Sequence, residues 1–265
     1  MRESSPNLTV ARPVAPYIGG KRNLARRLAE MIEATPHDLY AEPFIGMGGV
    51  FLARKRPARV EVINDISTDV ATLFRILQRH YQALLDMLRW QVTSREHFER
   101  LAAAHADSLT DLERAARFLY LQRTTWGGKV ASRTFGVNSA APARFNFIKL
   151  EPMLGALHER LAGVVIERLP YDQLLARYDR GDALFYIDPP YWGSETYYGA
   201  TWSRDEFDRL AEALRRLKGQ WLMSINDVPE IRDLFGWARI EAIETTWSTA
   251  GNQRGRVGEL VIRPA

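Results

Sequence analysis

The chain has 265 residues, of which 46% are hydrophobic, so it can bury a large core as one domain or as one domain with an insertion. The absence of cysteine excludes disulfides, thiolate nucleophiles and cysteine-ligated zinc, and the five histidines lack metal-binding spacing. The sequence has no run of about 18 apolar residues and no signal-peptide pattern, so we expect a cytoplasmic protein without membrane insertion or a metal. The net charge of +4 favours a polyanionic partner if the excess is clustered.

Short apolar runs alternate with helical patterns in the first and last thirds of the chain. Six runs are typical of buried strands: residues 39–42, 60–63, 164–166, 184–187, 221–225 and 260–262. Apolar residues spaced three to four apart predict helices from Leu24 to Ile32 and from Phe207 to Leu217. This alternation predicts an α/β fold with a mostly parallel sheet.

A Gly-Gly turn precedes the first predicted strand, within the segment from Pro16 to Leu24. Such a turn, leading into the basic start of a helix, can cradle a carboxylate, with Lys21 as the counter-charge. The alternative is an ordinary turn into a helix.

A second glycine segment, residues 41–51, follows the strand at 39–42 and opens a predicted helix. Glycines there let the backbone turn sharply and approach a ligand. The Gly-x-Gly-x-x-Gly fingerprint of dinucleotide folds is incomplete, because Phe51 stands where its third glycine would be. Glu42 at this strand end can accept from an ammonium group, and Asp65 at the next strand end can accept from ribose hydroxyls. Either acid is alternatively a solvated carboxylate.

The middle of the chain, from about Ser67 to Leu161, has a mostly helical pattern. We predict that residues 71–161 form a helical insertion and that residues 1–70 and 162–265 form the sheet domain. A polar, basic, glycine-containing loop from Gly127 to Arg144 interrupts the helices. Basic and aromatic residues interleave in and beside this loop, as expected of a surface that contacts phosphates and bases. They are Arg123, Trp126, Lys129, Arg133, Phe135, Arg144 and Phe145. Any single arginine among them is alternatively a solvated surface charge.

Asp188-Pro189-Pro190-Tyr191 directly follows the strand at 184–187. Prolines donate no backbone N–H, so carbonyl acceptors lie beside the Asp188 carboxylate, while Tyr191 offers a flat apolar face. A carboxylate and a carbonyl can accept both N–H bonds of an exocyclic amine whose ring stacks on the aromatic, a contact worth about 1–3 kcal/mol per base. The alternative is a strand followed by a rigid turn. Trp192 extends the apolar wall or belongs to the core.

Taken together and in this order, these segments resemble the Dam-type (D12 class) family of adenine-specific DNA methyltransferases. That family has an aromatic-x-Gly-Gly-Lys segment, a Glu-Pro-Phe-x-Gly-x-Gly segment, an acidic strand end, a helical target-recognition insertion and Asp-Pro-Pro-Tyr, all present here between residues 16 and 227. The match is weaker inside the insertion, where residues 120–129 represent the family's Asn-Gly-rich loop and Phe145-Asn146 its Phe-Asn segment. The resemblance therefore does not extend to a recognition sequence.

The resemblance implies a Rossmann-like domain that binds S-adenosylmethionine and methylates the exocyclic amine of an adenine flipped out of double-stranded DNA. The implied cofactor contacts are Tyr17, Gly20, Lys21, Glu42, Pro43, Phe44, Gly46, Gly48, Asp65 and Asp188. The implied catalytic residues are Asp188, Pro189, Pro190 and Tyr191. The implied DNA contacts are Arg123, Trp126, Lys129, Arg133, Arg144 and Asn146. Independently of the resemblance, the composition of the loop at residues 251–256 makes it a second candidate contact with the DNA backbone. A cognate restriction endonuclease is a candidate partner.

Three alternatives stay open. The chain is a methyltransferase of RNA or of a protein glutamine amide, a non-catalytic DNA-binding protein that has kept the fold, or a nicotinamide oxidoreductase. The basic insertion and the order of motifs disfavour the first. The intact Asp188 to Tyr191 and glycine segments disfavour the second. Phe51 and the two prolines disfavour the third.

Overall fold

The computed structural model of the protein describes residues 11–21, 23–130, 133–136, 142–193, 202–246 and 256–265. Its strands are β1 (Leu39–Glu42), β2 (Val60–Asn64), β3 (Val165–Glu167), β4 (Ala183–Ile187), β5 (Gln220–Asn226), β6 (Arg239–Thr246) and β7 (Arg256–Arg263). Its α-helices are α1 (Ala25–Ala34), α2 (Gly49–Ala53), α3 (Thr68–Arg79), α4 (Tyr81–Arg89), α5 (Arg95–Ala103), α6 (Asp111–Thr124), α7 (Phe147–Arg160), α8 (Tyr171–Tyr178), α9 (Asp205–Arg216) and α10 (Pro229–Leu234). None of the helices in these ranges has the length and apolar character needed to cross a bilayer.

The strands form one sheet in the order β3-β2-β1-β4-β5-β7-β6. Neighbours from β3 to β5 pair in parallel, and β7 runs antiparallel to both β5 and β6. Along the chain, β1, β2 and β3 follow one another towards one end of the sheet, and β4 and β5 follow towards the other end, starting beside β1. The strand order therefore reverses between β1 and β4, and ligands bind at such a switch point in open α/β sheets. The predicted mostly parallel, Rossmann-like sheet is confirmed.

All six predicted strands are present, with ends shifted by a few residues at most. The sequence did not predict β6, an edge strand of the sheet. Its residues, Arg-Ile-Glu-Ala-Ile-Glu-Thr-Thr, contain no continuous apolar run. An antiparallel edge strand can have one solvated face, so its apolar content is too low for detection by runs alone.

The sheet is covered by helices on both faces. Successive strand residues point to opposite faces. Accordingly, Tyr40, Ile63 and Tyr186 belong to one apolar cluster with the helices up to α7, and Ala41 and Phe185 belong to a second cluster with α8 to α10. Helix α9 shows how the sequence specifies this packing, because its buried residues recur at helical spacing. They are Phe207, Leu210, Ala211 and Leu214.

The helical middle of the chain shares its core with the sheet. Residues of α3 to α7 lie in the same apolar cluster as β1 and β2 residues. The predicted domain boundary at residue 71 falls inside α3, which buries Val70, Leu73 and Phe74, whereas the boundary at 161 follows the end of α7. The division into two functional units stays a prediction.

A buried ionic network joins the helical region to the sheet. Glu61 on β2 accepts a bond of 2.6 Å from Arg54 and bonds of 2.5 and 2.8 Å from Arg160 at the end of α7. The Arg54 guanidinium lies 3.6 Å from the ring centroid of Tyr40, whose hydroxyl donates to Glu42. The network thus runs from α7 through β2 to the carboxyl end of β1.

We expect Glu61→Gln to lower the free energy of unfolding by about 3–5 kcal/mol, because two buried guanidinium groups would lose their counter-charge. Urea unfolding followed by circular dichroism measures the change. Glu151→Gln is the matched control, since Glu151 pairs at 3.4 Å with the part-exposed Arg89 and should contribute less than about 1 kcal/mol. Equal effects of the two substitutions would contradict a structural role for the network.

Candidate active site

The predicted strand-end acids lie along one edge of the sheet. Glu42 ends β1, Asp65 follows β2 and Asp188 follows β4. Because these strands are parallel, their carboxyl ends share an edge, and Glu42 and Asp188 flank the switch point between β1 and β4. The structure therefore brings the three acids to the same edge of the sheet.

Lys21 lies against Asp188 and Tyr191. Its side chain comes from the segment before α1 and is 5% exposed. Its Nζ donates to Asp188 Oδ1 at 2.5 Å and to the Tyr191 hydroxyl at 2.5 Å. The ammonium also lies 4.4 Å from the centroid of the Tyr191 ring. The residue predicted as the counter-charge of a ligand carboxylate is thus paired with the predicted catalytic acid.

Glu259 on β7 completes this cluster and was missed from the sequence. Its Oε1 accepts from the Tyr191 hydroxyl at 2.6 Å and lies 3.2 Å from Lys21 Nζ. The antiparallel register pairs Glu259 with Asn226, the last residue of β5. This pairing places Glu259 at the sheet edge formed by the carboxyl ends of the parallel strands. An acid directly before the apolar run at 260–262 was the signal that could have identified it.

Burial governs the protonation of the strand-end acids. It raises the pKa of Asp188 to about 6, which Lys21 opposes and Glu259 reinforces. It raises the pKa of Glu42 to about 8, although the Tyr40 hydrogen bond and Arg54 act in the opposite direction. At pH 7, Asp188 is therefore mainly ionised and Glu42 mainly neutral.

The glycine segment is in contact with Tyr17 and Asp65. A β-carbon at Gly46 would lie 3.0 Å from Tyr17 Cδ1, and Gly46 has φ +49°, so any other residue there would be strained and would displace the ring. The Gly46 N–H donates to Asp65 Oδ2 at 3.0 Å, and Asp65 Oδ1 accepts from the Ser67 N–H at 2.9 Å. Burial raises the pKa of Asp65 to about 6, and these two bonds act against the increase.

The turns next to these residues are also tightly fixed. The Gly20 N–H donates to the Tyr17 carbonyl at 3.1 Å, and Gly48 has φ +74° at the N-cap of α2. The predicted opening of a helix at the second glycine segment is confirmed, although α2 has only five residues.

Two asparagines hold the loops that bear the candidate residues. Asn64 donates to the Pro43 carbonyl at 2.8 Å and to the Leu169 carbonyl at 3.0 Å. Asn226 accepts from the Trp192 N–H and donates to the Trp192 carbonyl, both at 3.0 Å. Asparagine is common in turns of every kind, so these hydrogen bonds could not be predicted from the sequence.

Aromatic rings follow β1 and β4 and pack beside the carboxyl ends of these strands. Phe44 packs against Tyr171 and Trp202, each with a centroid separation of 5.6 Å. Trp192 packs against Phe207 at 5.0 Å. Phe44 and Trp192 are therefore part of the packing that shapes the edge.

Two of the predicted DNA-contacting arginines face the interior. Arg123 donates to the Val14 and Arg144 carbonyls. The Arg133 guanidinium lies 5.8 Å from the ring centroid of Phe118, and its Nε and Nη2 are buried without a partner among the described residues. Burial lowers the pKa of both arginines. A role of either arginine in contacting DNA stays a prediction.

Other predicted DNA contacts lie at the surface. Trp126 is 39% exposed, its ring lies 4.6 Å from the Arg144 guanidinium, and Lys129 is exposed nearby in sequence. Exposed Asn146 caps α7 by accepting from the Lys149 N–H. Residues 251–255 of the second candidate loop lie outside the described residues.

The exposure of the large hydrophobic side chains also differs from expectation. Phe145, predicted as an interleaved stacking residue, is instead buried against Tyr120 at 5.1 Å. Trp90 and Ile148, which the sequence reasoning did not select, are 81% and 82% exposed. The residues that precede them in the sequence lie close together, since the Arg89 guanidinium is 5.5 Å from the ring centroid of Phe147. Across the described ranges no three acidic or histidine side chains converge as a metal site.

The chain is similar to a known protein family and to several known proteins. The family described as D12 class N6 adenine-specific DNA methyltransferase matches residues 17–249. The chain is 23% identical to the Type II methyltransferase M.CviBI of Paramecium bursaria Chlorella virus NC1A, covering 84% of this chain and 86% of that protein. It is 25% identical to the Type II methyltransferase M1.LlaDCHI of Lactococcus lactis subsp. cremoris, covering 95% and 94%. It is 24% identical to the DNA N-6-adenine-methyltransferase of Escherichia phage P1, covering 88% of this chain and 32% of that one.

Proposed function

We propose a reaction for this chain, which belongs to the D12 class of N6 adenine-specific DNA methyltransferases. In this reaction a methyl group passes from S-adenosylmethionine to the exocyclic amine of an adenine flipped out of duplex DNA. The observation that carries the proposal is the position of Asp188, a carboxylate at the sheet's switch point, next to two prolines and Tyr191.

The residues at the edge fit S-adenosylmethionine. When bound, this cofactor supplies an electrophilic methyl group on a sulfonium centre. The buried Glu42 carboxyl, once ionised, can accept from the α-ammonium group. Each Asp65 oxygen accepts one backbone N–H and retains capacity to accept from a ribose hydroxyl. Tyr17, packed on Gly46, forms an adjoining wall.

Asp188 acts on the target amine. The lone pair of an adenine amine is delocalised into the ring, so the nitrogen is a poor nucleophile. Hydrogen bonds to Asp188 and to the Pro189 carbonyl orient the amine and favour a tetrahedral nitrogen. As the nitrogen–carbon bond forms and the carbon–sulfur bond breaks, the nitrogen becomes cationic, and the ionised Asp188 stabilises that charge. The nitrogen then releases a proton towards the carboxylate or water.

Lys21 has to yield to the target base. Its ammonium binds Oδ1 of Asp188 and the hydroxyl at the far end of the Tyr191 ring. The adenine amine and this ammonium compete for the Asp188 carboxylate. We therefore expect the bond between Lys21 and Asp188 to weaken when the base enters.

Asp188→Ala should reduce methyl transfer by at least about a hundredfold and leave the fold intact, since it removes stabilisation of the transition state. Radiolabelled methyl transfer to mixed-sequence DNA measures the loss, and single-molecule sequencing of the product identifies the methylated base. The exposed Asp233→Ala is the matched control. Activity of Asp188→Ala within about tenfold of wild type, or ~1.4 kcal/mol, would remove Asp188 from the mechanism. Methyl transfer to RNA or protein instead would overturn the substrate.

Cofactor binding at pH 7 should release close to one proton, because Glu42 has a pKa of about 8 and must ionise to pair with an ammonium. Calorimetry in buffers of different ionisation enthalpy measures the release. Glu42→Gln should abolish it and weaken affinity by about ten- to a hundredfold, the loss of a charged hydrogen bond. Unchanged release in the variant would place the ammonium elsewhere. Binding of NADH without binding of S-adenosylmethionine would favour an oxidoreductase.

The exposed part of the helical region is the proposed DNA reader. Trp126 and Lys129 lie at the end of α6, whose side chains Gln122 and Arg123 donate to the Pro16 and Val14 carbonyls beside the active edge. An exposed ring with basic neighbours can contact both bases and phosphates. Two of the relatives are named type II methyltransferases, which favours a restriction endonuclease as a partner.

Replacing Trp126 and Lys129 together with Ala should weaken DNA binding and reduce the salt slope by about one charge, if Lys129 meets a phosphate. Fluorescence anisotropy at several salt concentrations measures both quantities. Cofactor affinity should not change. Lys218→Ala, an exposed lysine just before β5 at the opposite sheet edge, is the control. Unaltered DNA affinity and salt slope in the double variant would exclude this surface as the reader.

A further inference from the structure

We propose that Glu259 is a positioning residue for methyl transfer, which holds the Tyr191 hydroxyl and draws Lys21 away from Asp188. This rests on the proposed function, because it assigns Asp188 as the acceptor of the target amine. Glu259 acts through its two partners and does not itself touch the substrate.

The geometry of Glu259 supports this role. One carboxylate oxygen meets two donors from distant segments, the Tyr191 hydroxyl at 2.6 Å and Lys21 Nζ at 3.2 Å. The side chain is 1% exposed, and the strand register beside Asn226 fixes its backbone. A buried carboxylate is costly unless it is paired, so an apolar residue would serve packing alone at lower cost.

The charges explain why Lys21 is not held by Asp188 alone. A single ammonium lies 2.5 Å from Asp188 and 3.2 Å from Glu259. The Lys21 side chain is 3% exposed and the Asp188 side chain 21%, so water screens their attraction only in part and an isolated pair would resist displacement by the target amine. The second carboxylate gives the ammonium another partner when Asp188 turns to the amine. Glu259 thereby lowers the cost of freeing Asp188.

The bond to Tyr191 fixes the ring. Because the hydroxyl donates to Glu259 and accepts from Lys21, the ring orientation is set from its far end. A displacement of about 1 Å in a positioning group can cost about a hundredfold in rate. Among the described residues, Lys21 and Glu259 act on the pKa of Asp188, and the Asp188 charge in turn raises the pKa of its neighbours Glu42, Tyr186 and Tyr191.

Glu259→Gln tests the charge and keeps an acceptor for Tyr191. We expect kcat to fall about ten- to a hundredfold, with KM for S-adenosylmethionine within about threefold. The acid limb of kcat against pH should move to lower pH, because Glu259 raises the pKa of Asp188 and its charge is lost. Glu259→Asp keeps the charge, so it should restore part of kcat and the wild-type limb. Glu241→Gln on β6, whose carboxylate pairs with exposed Arg27, is the matched control.

Wild-type kcat and an unmoved acid limb in Glu259→Gln would overturn the proposal. Loss of kcat with an unmoved limb and a greatly lowered Tm would also overturn it, since that pattern means a structural role. If Glu259→Gln does not fold, kcat and its pH dependence in Glu259→Asp and Tyr191→Phe test the proposal instead. Both should lower kcat and keep the wild-type limb, and wild-type kcat in both would refute positioning.

A second readout does not depend on activity. In protein with ¹³C-labelled aspartate carboxyls, the Asp188 resonance, assigned with Asp188→Asn, should titrate at lower pH in Glu259→Gln than in wild type. An unchanged titration would overturn the proposal even if the wild type methylates no DNA. Absence of wild-type activity would overturn the proposed function, so the two failures are distinguishable.

Discussion

The site depends on the contacts that the buried Lys21 ammonium makes with Asp188, Tyr191 and Glu259. This ammonium joins three segments that are far apart in the chain: the Gly-Gly turn, the loop after β4 and strand β7. A desolvated charge is tolerated only when partners surround it, so the site forms correctly only when the sheet and the segment before α1 are both in place. The energetic cost of burying one cation thus couples catalytic geometry to completion of the fold.

The sequence predicted the central part of the sheet because buried parallel strands are nearly continuous apolar runs, as in β4. It predicted Glu42, Asp65 and Asp188 because each acid ends or follows such a run. It did not identify Glu259, since the partner Tyr191 lies 68 positions earlier and only the antiparallel register brings them together. Contacts of this kind follow from strand order, which no local pattern specifies.

The basic loop shows a second limit. Counting charges identified a group of arginines, but the direction of a long side chain depends on which acceptors the fold leaves available. Arg123 turns inward because the Val14 carbonyl is within its reach, and the Arg144 guanidinium lies 4.6 Å from the ring centroid of Trp126. A guanidinium has five donors and satisfies buried carbonyls well, so composition alone cannot separate a structural arginine from a DNA contact.

Helix α7 has a consequence for communication across the molecule. Its 14 residues, about 21 Å long, begin beside Asn146, a proposed DNA contact, and end at Arg160 in the network that passes through Glu61 and Arg54 to Glu42, a proposed cofactor contact. If both proposed contacts form, a shift of this helix on binding DNA would alter the electric field at Glu42. Because coupling between two binding sites is reciprocal, cofactor binding would then change DNA affinity by the same factor by which DNA changes cofactor affinity.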